Sequence, residues 1–289
     1  MDKMISVVMV NYNSGPLLKN SLQLIFKKGG PDKIETIVID NDSKDSSLTE
    51  AKKLFPGVTY LANNANLGFS KAINQGIKSA KGNFILLLNP DTLIDIEAVG
   101  TMADFLEKTT EGGIVGPQLL NVDGSVQLSC RSFPGISNAI FNRYSPLTRL
   151  FPKNRFSQKY LFTRWGHDQH RQVDWVSGAC LMIKKSVLDR IGLLDEDYFM
   201  YCEDIDLCLR AGKTGWKTYY LPQIKAVHHI RNGKKRASLK SIVDHHISMY
   251  LFFKKHRTNN RFALNLLAGM GMIFSTFFMV FYKKIIPAE

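Results

Sequence analysis

Acids are scarce in this chain: 25 Asp and Glu stand against 38 Lys and Arg, giving a formal charge of +13 over 289 residues. Such an imbalance points to an anionic partner, and nucleic acid, a nucleotide phosphate and an anionic membrane all qualify. The phosphate-loop pattern GxxxxGK(S/T) is absent, and no GxGxxG follows the first apolar run. Those absences weigh against a P-loop enzyme and a dinucleotide oxidoreductase. Cysteine is limited to Cys130, Cys180, Cys202 and Cys208, without the close pairs of a zinc site or a secreted disulfide framework. A reducing cytosol is the economical reading. The apolar core near the N-terminus, Ile5 to Val10, runs straight into Asn11-Tyr12-Asn13 and is too short for a signal peptide.

What is present begins with alternation. Ile5 to Val10 reads as a buried strand, Ser14-Gly15-Pro16 as a turn with proline at a first helical position, and Leu18, Leu22 and Ile25 as a helix stripe. Glu35 to Ile39 is a second strand, ending in the polar cluster Asp40-Asn41-Asp42-Ser43. Asn63 to Gly68 is turn chemistry, Phe69 to Ala80 carries a helical stripe, and Phe84 to Leu88 is a strand that ends in Asn89-Pro90-Asp91-Thr92. Strand and helix alternate through the first 106 residues, which predicts an α/β fold with a mostly parallel sheet covered on both faces. In such sheets ligands bind outside the carboxyl ends of the strands. Val173 to Ile183 has core-like strand texture around Gly178, and Lys213 to Leu221 and Ile224 to Val227 read as late strands. The length fits one domain with an appendage.

Phe199 to Arg210, FMYCEDIDLCLR, sets two acids side by side before an apolar-patterned helix. Asp206 and Arg210, four apart, are placed to pair on the helix surface. Asp204 in the first turn would have its ionised form favoured by the positive helix end, as a general base requires. An acid pair that only satisfies orphan amides is the alternative.

From Arg131 to Arg171 the texture changes to eight Lys or Arg, eight aromatics and the single acid Asp168. This interleaving suits single-stranded nucleic acid, a flap near an anionic lipid head group, or a solvated loop. Ser238 to His256 reads as an amphipathic helix, and Phe262 to Tyr282 holds 21 residues without a charge. At about 1.5 Å per residue a helix of that length spans the roughly 30 Å hydrocarbon core. Gly269, Gly271 and Asn265 dilute it, so a surface-lying or re-entrant helix and a buried soluble helix stand as rivals. Basic residues before it would keep the preceding part on the cytoplasmic side.

Six stretches in order, VVMVNYN, IVIDNDSKDSS, NANLGFSKAINQGI, LLLNPDT, WVSGACLMIKK with IGLLDEDYFMYCEDIDLCLR, and AVHH, carry a resemblance over about Val7 to His229. The chain resembles the family 2 inverting glycosyltransferases of GT-A type, and within them the rhamnosyltransferase-like members that extend lipid-linked bacterial polysaccharides. The resemblance implies a Rossmann-like nucleotide-binding sheet. It divides the chain into a GT-A catalytic domain over 1–235 (nucleotide-binding half 1–116, acceptor half 117–235) and a membrane-associated helical tail over 236–289.

The implied roles follow residue by residue. Asn11, Tyr12 and Asn13 would flank the nucleotide base and Asp40 would hydrogen-bond it. Asn66 and Gly68 would form the turn beside the diphosphate, with Lys71 assisting. The Asp-x-Asp metal motif corresponds to Asn89-Pro90-Asp91, one carboxylate short, which leaves Asp91 as the loop's ligand for Mg²⁺ or Mn²⁺ and Asn89 beside the nucleotide. His228, with His229 the near alternative, would complete the protein ligands. Asp204 would be the catalytic base, supported by Glu203, and Trp175 and Asp206 would meet the acceptor.

The expected partners are a nucleotide-sugar donor (dTDP-rhamnose or a UDP-sugar), a lipid-linked saccharide and the cytoplasmic face of the membrane. A nucleotidyltransferase is an alternative, although VNYNSGPLLKN lacks a glycine-rich basic loop. A nucleic-acid-binding module using 131–171 is another. It would have to keep phosphate away from Asp40, Asp91 and Glu203-Asp204, so nucleic acid is not expected as a partner.

Overall fold

A computed structural model describes residues 3–27, 33–135, 158, 160–229 and 239–256. In chain order the elements are β1 (Ile5–Asn11), α1 (Pro16–Ile25), β2 (Ile34–Asp40), α2 (Ser47–Leu54), β3 (Thr59–Ala62), α3 (Phe69–Ser79), β4 (Phe84–Leu88), β5 (Thr92–Leu93) and α4 (Ile96–Lys108). They continue as β6 (Gly112–Leu120), β7 (Cys130–Arg131), β8 (Arg171–Val173), β9 (Trp175–Val176), β10 (Cys180–Lys184), α5 (Lys185–Ile191), α6 (Glu203–Lys213), β11 (Lys217–His228) and α7 (Leu239–His256).

The main sheet runs β3-β2-β1-β4-β10-β6-β11-β5, with β8 also paired to β11. Its first four strands are mutually parallel. Beyond them β10 runs antiparallel to both β4 and β6, while β11 is parallel to β6. The sheet is therefore mixed, with the parallel half where the sequence alternates strand and helix. Every residue of β1 and of β4 is buried, as central strands covered on both faces require. Two apolar clusters lie on the two faces. One holds Val8, Ile39, Ile73, Tyr198 and Phe252, the other Val7, Met9, Leu22, Val99 and Met102. β6 crosses the 116/117 division, so both halves of the catalytic region share one sheet.

Three local features shape the site. Pro16 opens α1, where its missing N–H is tolerated. Gly76 lets α3 lie close on the sheet, since a Cβ there would fall 2.3 Å from Val8 Cγ1. The late strands expected at 213–221 and 224–227 are one strand, β11, with an irregularity between Leu221 and Lys225. Pro222 sits in that irregularity, the position where a strand tolerates a residue without an N–H. Residues 213–216 instead close α6 and turn through Gly215 at φ +94°.

Most of the basic aromatic segment (136–157 and 159), the glycine turn at 29–31 and the apolar stretch 262–282 lie outside the described residues. Among the described residues no helix is long and apolar enough to cross a membrane. The four cysteines are free and buried.

Candidate active site

β1, β2 and β4 end at one rim, with Asn11 paired to Asp40 across the ladder. Asn11 is fully buried, and its Nδ2 donates to Asp40 Oδ1 (2.6 Å) and Ser47 Oγ (2.8 Å). Asp40 Oδ2 accepts the backbone N–H of Ser43 (3.0 Å). Asn11 thus braces Asp40, and both side chains are buried. Tyr12, half exposed, and Asn13, at φ +49°, form the open lip above it.

Asn41 organises the next loop. Its Nδ2 donates to Asn66 Oδ1 (2.9 Å) and Gly68 O (3.1 Å), and its Oδ1 accepts from Leu67 N (3.0 Å). A Cβ on Gly68, at φ +86°, would meet Phe199 O and Cδ2 at 2.7 Å. Phe69 N also donates to Phe199 O (2.6 Å). The small residue was expected to admit phosphate; what crowds it in this fold is the loop that leads into the acid pair. Lys71 stands exposed on the first turn of α3.

The turn from Asn89 to Thr92 is pinned at three points. Asn89 N donates to Ala179 O (3.0 Å), Thr92 pairs with His228 in the β5–β11 ladder, and His229 N donates to Asp91 O (2.8 Å). The result brings His228 Nε2 within 3.4 Å of Asp91 Oδ1, a carboxylate oxygen that is buried with no hydrogen-bond partner.

Gln127 fixes the histidine. Its Nε2 is surrounded by acceptors, Leu120 O, Asn121 Oδ1 and His228 O at 3.2, 2.9 and 2.8 Å. Its Oε1 therefore faces His228 Nδ1 (3.0 Å), so Nδ1 donates, and in the neutral ring Nε2 has its lone pair toward Asp91. An orphaned carboxylate oxygen beside an imidazole lone pair fits two positions of a divalent cation's shell, with other oxygens to complete it. Among the described residues no cluster of three or more His, Cys, Asp or Glu is placed to hold a metal, so further ligands would come from substrate or water.

The acid pair opens α6 after two left-handed residues, Tyr201 (φ +72°) and Cys202 (φ +66°). Asp204 Oδ2 accepts from Gly178 N (2.9 Å) and Oδ1 from Ile205 N (2.8 Å). Burial raises the Asp204 pKa, against the pull of those N–H groups and the Arg131 charge. The helix end is expected to favour the ionised carboxylate; burial acts against that preference. Glu203 is buried with Oε2 unpartnered, and burial next to the Asp204 charge pushes its pKa up.

Two expected acceptor contacts are taken by the protein itself. Asp206 does pair with Arg210, but inside the fold rather than on the surface: it is 1% exposed and also bound by His256 Nε2 at 2.5 Å. Trp175 is 6% exposed, donates from Nε1 to Ser132 O (2.9 Å), and has the Arg131 guanidinium 5.2 Å from its ring centre. Sequence reasoning missed Asn41, Gln127 and Arg131. Only the polar cluster after β2 signalled the first of them.

Parallel strands ending at one rim, a carboxylate–imidazole pair and a buried acid at a helix start give an α/β fold with an enzyme-type polar site. The glycosyl transferase family 2 model matches residues 6–192, and the chain belongs to that family. It is 30% identical over 266 residues to the N-acetylglucosaminyl-diphospho-decaprenol L-rhamnosyltransferase of Mycobacterium tuberculosis, covering 87% of this chain and 84% of that protein. It is 24% identical to the rhamnosyltransferase WbbL of Escherichia coli K12, covering 88% and 94%. The fold is similar to that of a Pyrobaculum calidifontis mannosyltransferase solved with GDP-Man and Mn²⁺, with TM-score 0.61, 16% identity, and coverage of 100% of this chain and 78% of that one.

Proposed function

We propose that this glycosyltransferase moves rhamnose or a similar sugar, with inversion, from a nucleotide-sugar donor to a lipid-linked saccharide in cell-surface polysaccharide synthesis. The observation that carries the proposal is the linkage of the two halves of the site. Asn89, beside Asp91, is bonded to Ala179, and the adjacent Gly178 N–H holds Asp204. The turn that carries Asp91 and the side chain of Asp204 are thereby anchored to neighbouring residues of one backbone segment.

Asp91 Oδ1 and His228 Nε2 would hold Mg²⁺ or Mn²⁺, which when bound offsets the charge that develops on a departing nucleoside diphosphate. Asp204 accepts the proton of the acceptor hydroxyl as that hydroxyl attacks the anomeric carbon from the face opposite the diphosphate. The Gly178 and Ile205 N–H groups orient its carboxylate, and Arg131 favours its charged form. We assign Asp40 and the Tyr12–Asn13 lip to the nucleotide base, and the Asn66–Gly68 turn to the diphosphate. The donor is dTDP-rhamnose or a UDP-sugar. The M. tuberculosis relative, named for a decaprenyl diphosphate acceptor, supports the lipid-linked class. We place the enzyme at the cytoplasmic face of the membrane, held through the segment after residue 236.

The test is nucleoside diphosphate release from dTDP-rhamnose and a panel of UDP-sugars with lipid-linked acceptor, for the wild type and Asp204→Asn. One donor should be turned over, and the variant should bind nucleotide normally yet transfer about 10² to 10⁴ times more slowly. Near-normal transfer by Asp204→Asn removes it from the role. Thermal stabilisation by a single-stranded oligonucleotide, with none by any nucleoside diphosphate plus Mn²⁺, overturns the reading.

A further inference from the structure

The outward side of α7 is apolar where a solvent-facing helix surface is ordinarily polar. Val243, Ile247 and Tyr250 recur at four- and three-residue spacing and are 39%, 53% and 40% exposed. The orientation is fixed from the other side. Phe252 and Phe253 are buried in the core, Ser248 Oγ donates to Met200 O (2.8 Å), and Lys255 reaches Asp195 and Asp197. The stripe is therefore not free to turn inward.

It is bounded at its two ends by Lys240 and Lys254, both exposed, with the helix's one acid, Asp244, to one side. Lys240 Nζ lies 5.1 Å from the ring centre of Phe199, and Phe199 and Met200 are themselves 38% and 42% exposed. Phe199 and Met200 thus adjoin α7 through Lys240 and Ser248, just before Glu203 and Asp204.

We infer that this face, the outer side of α7 with Phe199 and Met200, is a docking surface for an anionic lipid bilayer and sets the acid pair at the membrane boundary. An apolar stripe capped by cations matches a helix lying in the head-group region, with aliphatic and aromatic side chains below the phosphates and ammonium groups among them. A second copy of the chain fits less well, because either twofold pairing of α7 on itself brings lysine ends together. The proposal rests on the membrane location given above and sharpens it. A lipid-linked sugar held in the bilayer would meet Asp204 without leaving the surface.

The experiment uses the full chain with Ile247→Cys carrying an environment-sensitive nitrobenzoxadiazole label; the four native cysteines are buried. Glu107→Cys serves as the control, on α4, which packs against the opposite face of the sheet. Labelled proteins that retain the wild-type melt are mixed with vesicles of neutral phosphatidylcholine or with added phosphatidylglycerol, and both emission and sedimentation are read. The expected result is a blue shift at 247 and none at 107, strong with the anionic vesicles and reduced by salt.

Sedimentation without a shift at 247 overturns the surface while leaving membrane location standing. Absence of sedimentation overturns both. A label already blue-shifted without vesicles also overturns it, in favour of a second copy if the shift falls on dilution, or of the chain's own 257–289 if it does not.

Discussion

Replacing Gly68 by alanine tests whether the Asn66–Gly68 turn is small for the sake of phosphate or for the sake of the acid loop. Gly68 sits at φ +86° and ψ 168°, a region open essentially to glycine alone, so alanine costs about 1–3 kcal/mol from backbone strain. Its Cβ would lie 2.7 Å from Phe199 O and Cδ2 and 3.1 Å from Phe199 Cα. Two of those atoms are backbone and cannot swing aside, so overpacking adds about 1–3 kcal/mol. A sum of about 2–6 kcal/mol lowers Tm by about 5–20 °C at 2–4 °C per kcal/mol for a domain of this size. Gly124→Ala is the control: φ is +81° there, but nothing lies within 4 Å of the added Cβ, so only about 1–2 kcal/mol of left-handed strain applies. Thermal melts of the ligand-free proteins read the difference. If Gly68→Ala melts no lower than Gly124→Ala while losing nucleoside diphosphate affinity, the Phe199 contact is not what demands glycine, and close approach of phosphate is.

Removing the amide that orients His228, in Gln127→Leu, should weaken Mn²⁺ binding about 10- to 100-fold, the usual effect of losing a partner behind a metal-binding histidine. Calorimetric titration in the presence of nucleoside diphosphate reads it, Gln127→Glu should recover part of the affinity, and an unchanged Mn²⁺ isotherm refutes the orientation argument. Glu203 gives a pH test. Because burial raises its folded pKa above the ordinary value near 4.5, the unfolded chain loses this proton first, and stability falls as pH rises from about 4.5 toward the raised value. Glu203→Gln should therefore melt higher than wild type at pH 8 and equally near pH 4; a pH-independent difference sinks the assignment. Arg210→Met strips Asp206 of its Nε partner and frees the carbonyls of Ile191 and Leu193. Because His256 still binds Asp206, it should cost about 1–3 kcal/mol, the range for leaving buried hydrogen-bonding groups unpaired, and denaturant unfolding with a loss under about 0.5 kcal/mol would contradict the burial argument.

The parallel half was legible because its signals are local. Ile5 to Val10, Glu35 to Ile39 and Phe84 to Leu88 are short, mostly apolar runs closed by polar turns, and α3 has its stripe between Gly68 and Gly82. The mixed half was less so. β10 runs against its neighbours, and one strand bends at Pro222 where two were expected; neither direction nor pairing is written in side-chain alternation. At the site, Asp91 and His228 stand 137 positions apart. Their meeting was expected from the order of motifs, since no periodicity links them. Gln127 had no sequence signal, being a glutamine in a polar turn whose function comes from three acceptors that the fold gathers around it. Asp206 was sorted to the surface because i, i+4 spacing specifies a pair and not its depth. That depth is set by α7, whose contact with α6 no local pattern announces.

The same contact ties the two ends of the chain's catalytic logic together. His256, at the last residue of α7, holds Asp206 on α6, while Arg210 clamps that carboxylate to the carbonyls of Ile191 and Leu193. Phe199, on the loop between those carbonyls and α6, closes over Gly68. The first turn of α6 is thus located from three directions: the Asn66–Gly68 turn through Phe199, the Gly178 backbone through Asp204, and α7 through Asp206. An acid raised in pKa by burial serves as a base only while its hydrogen bonds are kept, so displacement of α7 should be felt at Asp204 although the two do not touch. His256→Ala isolates that route, because it leaves every direct contact of Asp204 in place. Transfer should slow with little change in donor KM, and addition of imidazole should restore part of the rate. A loss of donor KM alone would mean that α7 acts on the nucleotide turn and not on the acid.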